Sequence, residues 1–462
     1  MKFLFLAWKH PVEPLGLLYI SSTLKKHNHD TKIAIIGQDD LDKVVSEFKP
    51  DVVAGSVMTG GQAEFLKITN GLKQKHNFLC LMGGSHPTFH PKVIEEAGLD
   101  VIAQGECEES IAEFADNLRD GKDITKIKNL WVKIDNKIYK NEIRELNENL
   151  DSLPFPDREV AYEHNIWKNE PIRHFIACRG CAYKCTYCFN SAIEKIYGGK
   201  GKWVRWRSVD NLIQEIKQVI EKYGGKVIYF QDDIFIMNRP WLEEFAPKYK
   251  KEINLPFHCH VRPNLINEAT ARLLKEAGCY SVHMALESAD DYIRNVVIKR
   301  EMDKETVYKA CELLNGYGIK IMLQNILGLP GSNLEKDMET LKMNIKCKPL
   351  YAWCSIFQPY PGLPLTEYAA SKGLLEGDYN DIGAKFFETT IVKLENKKEI
   401  EHLQKWFAIA SSYPILYKSG LLKILINMPD NNRVKKIYKY VYNKYRAHKD
   451  DQLYGIKLEN SF

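Results

Sequence analysis

Cys181, Cys185 and Cys188 fall in one short run, Cys-Ala-Tyr-Lys-Cys-Thr-Tyr-Cys, which places three thiols on a single loop. Three sulfur ligands suit a [4Fe–4S] cube whose fourth iron stays open, whereas a closed electron-transfer cluster or a structural zinc draws on four. An open iron can bind a second molecule and act on it. Cys178 stands just upstream, so the run can also be read as two C-x2-C pairs. Zinc pairs usually lie about 15–20 residues apart, so that the chain folds round the metal. Only three residues part Cys181 from Cys185, too few for that. Cys178 is therefore expected to be a thiol at a strand end. Tyr187, beside the last cysteine, offers a ring to shield the site.

Such a loop needs a frame. Residues 173–375 alternate apolar strands, near 173–177, 227–231, 257–261, 281–286, 320–326 and 353–358, with helices such as those near 209–223, 267–276 and 304–317. Six units predict a partial (β/α)6 barrel, in which chemistry belongs at the carboxyl ends of the strands. The first strand runs through Arg179-Gly180 straight into the cysteines. After the second come Asp232 and Asp233, costly at an apolar strand end without a cationic partner. Arg262 follows the third, suited to a carboxylate by bidentate pairing. Glu287 and Ser288 follow the fourth, and Gln324 opens the end of the fifth, Gln-Asn-Ile-Leu-Gly-Leu-Pro-Gly. Each alone has an ordinary structural reading, as an ion-pair partner or, for Asp232, a helix cap. Their recurrence at successive strand ends argues for a site. His258 and His260 share a strand face, and His260 or Cys259 is read as pocket lining rather than as part of a second metal site.

Residues 1–140 show a tighter alternation, with strands near 3–7, 31–36, 52–56, 79–83 and 101–104. That rhythm predicts an α/β, doubly wound, Rossmann-like parallel sheet. Ligands bind such sheets beyond the carboxyl ends of the strands. Those ends carry Ser56, Met58 and Thr59, the run Gly83-Gly84-Ser85-His86-Pro87-Thr88, and Gly105-Glu106. Residues 141–172 read as a polar, proline-rich linker, and 376–462 as a helical C-terminal domain with helices near 399–412 and 431–446.

The cysteine spacing resembles that of the radical S-adenosylmethionine (radical SAM) enzymes. With Glu13-Pro14-Leu15-Gly16, the Gly-Gly-Ser-His-Pro-Thr run and Gly105-Glu106, the chain resembles their cobalamin-dependent branch over roughly residues 1–375. The resemblance implies a [4Fe–4S] cluster on Cys181, Cys185 and Cys188, with SAM chelating the open iron. It implies Asp232 and Asp233 for the SAM amino group, Arg262 for its carboxylate, Glu287 and Ser288 for the ribose or methionyl end, and Tyr187 and the Gln324 strand end for the adenine. Cobalamin would lie over Glu13, Pro14, Gly16, Ser56, Met58, Thr59, Gly83, Gly84, His86, Gly105 and Glu106. The Asp-x-His-x-x-Gly motif that ligates cobalt from below in mutases is absent after the first strand, where His10 is the nearby histidine. The implied reaction is C-methylation of an unactivated carbon by way of a 5′-deoxyadenosyl radical and methylcobalamin. Ring closure or rearrangement without methylation is the family's alternative. An electron donor such as flavodoxin or ferredoxin and an anaerobic host are further implications. The tRNA methylthiotransferases share the layout but carry three N-terminal cysteines, and only Cys80 and Cys107 precede residue 178 here.

The chain of 462 residues has a net charge of +5, too small to argue for nucleic acid. Four of its eleven cysteines crowd into residues 178–188 and the rest are scattered, which is no disulfide framework. The apolar start reads as a core strand rather than a signal, so a reducing cytoplasm is expected. No apolar run approaches the ~20 residues of a membrane span. In the tail, Arg433, Lys435, Lys436, Lys439, Lys444 and Arg446 surround Tyr438, Tyr440, Tyr442 and Tyr445. Such a helix suits peripheral contact with an anionic membrane, which would favour a lipid or other membrane-associated substrate among the small molecules open to the family. The competing reading is a helix packed on the barrel with a solvated cationic face.

Overall fold

A computed structural model describes residues 1–377, 379–382 and 387–458, so residues 378, 383–386 and 459–462 of the expected tail lie outside the described residues. The chain forms two compact units: Met1–Glu170 with Ala192–Arg207 and Tyr360–Gly362, and Pro171–Ser191 with Ser208–Pro359 and Leu363–Phe462. The helical tail packs within the second unit.

In the first unit, β1 (Lys2–Trp8), β2 (Asp30–Ile36), β3 (Val52–Ser56), β4 (Leu79–Gly83) and β5 (Val101–Ala103) lie parallel in the order β2-β1-β3-β4-β5. Runs such as Phe3–Leu6 are buried throughout, as strands covered by helices on both faces must be. The order reverses beside β1, and the crevice at such a switch point, beyond the carboxyl ends, is where this fold takes ligands. Two further strands, β6 (Leu130–Ile134) and β7 (Lys137–Lys140), extend the sheet antiparallel. The strand–helix alternation does not predict them. Their signal is Asp135-Asn136 between two β-rich runs: both residues take positive φ, 48° and 62°, as a two-residue hairpin turn requires.

In the second unit, β8 (Ile172–Phe175) and the short β9 (Cys178–Arg179) lead into the cysteine loop, while β10 (Arg205–Trp206) belongs to the first unit. With β8, the strands β11 (Val227–Phe230), β12 (Phe257–Val261), β13 (Cys279–Glu287), β14 (Lys320–Leu327) and β15 (Tyr351–Ile356) make a six-stranded, all-parallel sheet in sequential order. Five of the intervening helices start alike. Ser208, Asn238, Asn267, Asp303 and Asn333 each accept a hydrogen bond from the backbone three residues on, which satisfies an otherwise orphaned donor. Phe230 and Phe257 pack on Phe245 and Tyr249 of the helix Arg239–Glu252.

Alternate residues on the other face form a polar stack. The Tyr229 hydroxyl meets His260 Nε2 at 2.8 Å and His283 Nδ1 at 3.0 Å, and those two nitrogens lie 3.1 Å apart. His258 Nδ1 pairs with the Ser281 hydroxyl at 2.6 Å. Burial lowers His260 to about 4, so the ring is neutral at neutral pH. Below the stack, Leu453 and Tyr454 of the last helix, Asn432–Tyr454, join Tyr229, Met322 and Tyr351 in one cluster.

Asp450 of that helix is buried, with Arg446 Nε 3.6 Å from its Oδ2. Burial pushes its carboxyl up to about 7, against the pull of Arg446. An unfolded Asp ionises near 3.8. Between these values the folded protein holds the extra proton, so this contribution to stability is present at low pH and is lost as pH rises through about 7. Asp450→Asn keeps the shape without needing the proton. It is expected to raise the melting temperature at pH 8 and much less at pH 5, which parallel thermal melts would check.

Candidate active site

The cysteine loop leaves β9 through Gly180 at φ 88° and ends in the helix Phe189–Tyr197. The Ser191 hydroxyl, at 3.0 Å from the carbonyls of both Cys185 and Cys188, ties the end of the loop to the first helical turn. Cys181, Cys185 and Cys188 all line one cavity, which is also walled by Asp233, His260, Arg262, Glu287, Arg300 and Gln324. All but Arg300 stand at or near the carboxyl ends of successive strands, so the barrel brings most of the expected residues together, while Asp232 and Ser288 stay outside the lining. Cys178 is buried away from that cavity, and its backbone N–H donates to Asp232 at 2.5 Å.

Two guanidinium groups flank one thiol. Arg262 Nη1 lies 3.6 Å from Cys185 Sγ and Arg300 Nη1 lies 3.9 Å from it. The Arg262 guanidinium also stacks on the Tyr183 ring, with 3.6 Å to the centroid, and donates to the Arg300 carbonyl. Arg300 donates further to the Tyr187 hydroxyl at 3.1 Å and to the Ala285 carbonyl. Sequence reasoning missed Arg300. It sits in Ile-Lys-Arg-Glu-Met with no strand end to mark it. The neighbouring Arg294, fully buried, instead braces the loop by donating to the carbonyls of Ser288, Ala289 and Met302.

The two adjacent acids part company. Asp232 is buried and accepts from the backbone N–H groups of Ala177 and Cys178, which holds the strand end ahead of the cysteines. Burial raises its carboxyl to about 6 even against those bonds. Asp233 projects into the cavity, where it still meets water. The protein ringing it nevertheless pushes its carboxyl above the usual range, with Asn190 bonding opposing the shift. Glu287 takes φ 67°, a left-handed conformation uncommon outside glycine, at the irregularity where the β13–β14 register shifts. Its Oε1 accepts from the Tyr187 hydroxyl at 2.8 Å, and burial raises its carboxyl in spite of Arg300. Backbone strain of this kind collects at functional sites. Ser288 turns to the local loop, where its hydroxyl accepts from the Asp290 N–H at 3.3 Å.

The carboxyl edge of the first unit divides in the same way. Ser56 and Met58 are exposed, Met58 by 63%. A methyl group added at Gly83 would meet nothing nearer than 3.9 Å, and one at Gly16 nothing within 4 Å. Ser56, Met58 and Gly16 leave an open shelf, while Gly83 lies in ordinary contact range of Ala103 and the Gly55 carbonyl. Glu13, by contrast, is buried in an ion pair with Arg158 at 2.6 Å, just ahead of Pro14. Thr59 and His86 are buried and bonded to one another at 3.0 Å. Gly105 is filled by Tyr197, whose hydroxyl would lie 2.4 Å from an added Cβ, and Glu106 pairs with Arg205.

The donor set fits a cube. Among the described residues no three His, Cys, Asp or Glu side chains converge closely enough for a single metal ion. The three thiols instead ring a cavity, as a cluster taking one sulfur per iron requires. Burial pushes the Cys188 thiol up to about 12, so loading must displace its proton. The guanidinium groups supply positive charge beside Cys185, which favours an added electron on a thiolate-bound cluster. Arg300→Gln is expected to make one-electron reduction about tenfold harder, a shift of about 59 mV to more negative potential. Arg300→Lys should recover part of it, and a redox titration followed by electron paramagnetic resonance reads both.

The chain matches the Radical SAM superfamily over residues 175–343 and the B12 binding domain over residues 1–115. An uncharacterized methyltransferase of Pyrococcus horikoshii is 30% identical over 375 residues, covering 78% of this chain and 79% of that protein. Among solved structures, the radical SAM methyltransferase TsrM of Kitasatospora setae, with cobalamin and a [4Fe–4S] cluster bound, aligns at TM-score 0.67 and 16% identity over 81% of this chain and 76% of its own. The cobalamin-dependent radical enzyme OxsB, with aqua-cobalamin bound, aligns at TM-score 0.72 and 16% identity over 97% of this chain and 71% of its own. Both likenesses bear on the fold.

Proposed function

Because the chain belongs to the cobalamin-dependent radical SAM enzymes, which use a [4Fe–4S] cluster, SAM and cobalamin, we propose that it is a C-methyltransferase acting on an unactivated carbon. The observation that carries the reading is one chain holding both a cavity ringed by three thiols and a sheet edge left open by Ser56, Met58 and Gly16. The methyltransferase name of its Pyrococcus relative supports it. When bound, the cluster and SAM supply a radical able to break a C–H bond that no base can ionise, and cobalamin carries the methyl group.

The protein's part is to hold and to exclude water. Arg262 and Arg300 take the SAM carboxylate and Asp233 its amino group, each charge meeting its opposite where burial strengthens the pairing. Glu287 and Tyr187 fix the nucleoside side, and Gln324 completes the wall. His260 and His283, both kept neutral by burial, close the floor without offering a charge. Electrons come from a flavodoxin or ferredoxin, the substrate is a small or lipid molecule, and the enzyme works in an anaerobic cytoplasm.

Anaerobic reconstitution followed by cobalamin and product analysis tests the reading. Stoichiometric cobalamin, with S-adenosylhomocysteine and 5′-deoxyadenosine formed from SAM, is the expected result. 5′-Deoxyadenosine without S-adenosylhomocysteine would move the reaction to ring closure or rearrangement. Protein that loads its cluster yet takes up no cobalamin would overturn the methyltransferase reading.

A further inference from the structure

Large apolar side chains exposed among the described residues are concentrated in one place. Seven of eleven, Tyr413, Ile415, Leu421, Ile424, Met428, Ile437 and Tyr440, fall between residues 413 and 440. The helix Leu421–Ile426 is apolar on two sides. Leu422 and Ile426 pack with Leu403 and Phe407, while Leu421 and Ile424, followed by Met428, face out at helical spacing. A helix apolar all round is normally covered on every side, and contiguous exposed apolar surface marks an interaction site. On the last helix, Val434, Tyr438 and Tyr442 are buried, whereas Arg433, Lys436, Ile437, Tyr440 and Lys444 make the outer stripe. The Tyr438 hydroxyl donates to the Leu425 carbonyl at 2.7 Å and fastens the two helices together.

Charge identifies the occupant. Residues 413–449 hold nine Lys or Arg against a single Asp, in a chain whose whole net charge is +5. Among the described residues, carboxylates engage only Lys435, Lys439 and Arg446 of the nine. A second copy of this chain would present the same cations and be repelled. A nucleic acid would meet the cations but leave Ile415, Leu421, Ile424 and Ile437 against phosphate and water. We infer that the outer face of residues 413–444 docks on an anionic lipid membrane. The cations lie at the headgroups, and the apolar side chains reach the acyl boundary, the arrangement of an interfacial helix rather than a span. No helix among the described residues is long and apolar enough to cross a membrane. The inference rests on this surface alone and stands apart from the methyltransferase reading.

Flotation of the full chain with phosphatidylcholine vesicles, with and without phosphatidylserine, tests it. Binding is expected only with phosphatidylserine and should weaken as salt rises. Reversing Lys423, Lys436 and Lys444 to Glu should weaken it by on the order of a hundredfold. Ile415→Ser with Ile424→Ser and Ile437→Ser should remove the part that survives salt. All six positions are exposed, so cluster content and SAM cleavage in solution should stay at the parent level in both triple variants. Failure to float, variants that float like the parent, or RNA retention or self-association lost in these variants instead of lipid binding would overturn the inference.

Discussion

Cys188→Ser is expected to leave the chain folded but unable to retain a [4Fe–4S] cluster, and SAM cleavage should fall to background. The loop offers three thiols to the cavity, so removing one strips an iron of its only protein ligand. A hydroxyl is a harder and less acidic donor, and the guanidinium charges beside Cys185 cannot replace a missing bond. Cys178→Ser makes the internal control. That thiol lies outside the cavity, so iron content should match the parent's. Iron and sulfide analysis of both variants after anaerobic reconstitution reads the difference. Equal iron in the two would sink the three-thiol assignment. Loss in both would make Cys178 a ligand.

Gly84→Ala should cost the first unit about 3 kcal/mol or more and abolish cobalamin uptake while sparing the cluster. Gly84 sits at φ 94°, ψ −168°, a region of backbone space essentially confined to glycine. An added Cβ would lie 2.7 Å from Val57 N and 2.8 Å from Val57 O. That peptide cannot step aside, because its N–H bonds the Gly83 carbonyl at 2.8 Å and its carbonyl accepts from His86 N at 2.9 Å. The clash therefore spreads to the ends of β3 and β4, the open part of the sheet edge. Gly71→Ala, on the exposed side of the helix Gln62–Lys73 and with free space around it, should lower neither stability nor cobalamin content. Cobalamin absorbance and iron content measured on one preparation would separate local damage from general unfolding.

The readable parts of this protein were those written in local pattern. Strand–helix alternation located the two large sheets and all their parallel strands, because buried strands must be apolar and the helices between them amphipathic. The hairpin β6–β7 escaped, since its signal is a turn rather than a period. Within the site, residue type at a strand end predicted which side chains gather but not which way each points. Asp232 and Asp233 are chemically identical neighbours in the loop after β11, yet one turns to the backbone of the cysteine strand and the other to the cavity. The same limit applies to Gly105 and Glu106, which Tyr197 and Arg205 engage from within the first unit.

By itself the sequence determined the three-thiol loop, the two α/β units and, through their motifs, the cofactors, because ligand spacing and hydrophobic period are local properties of the chain. Only the tertiary structure brought Arg300 to Cys185 across 115 residues, bonded Tyr229 to two histidines of separate strands, and left one apolar side of the helix Leu421–Ile426 uncovered. Those outcomes depend on which faces the packed elements turn toward one another, and no local pattern encodes that.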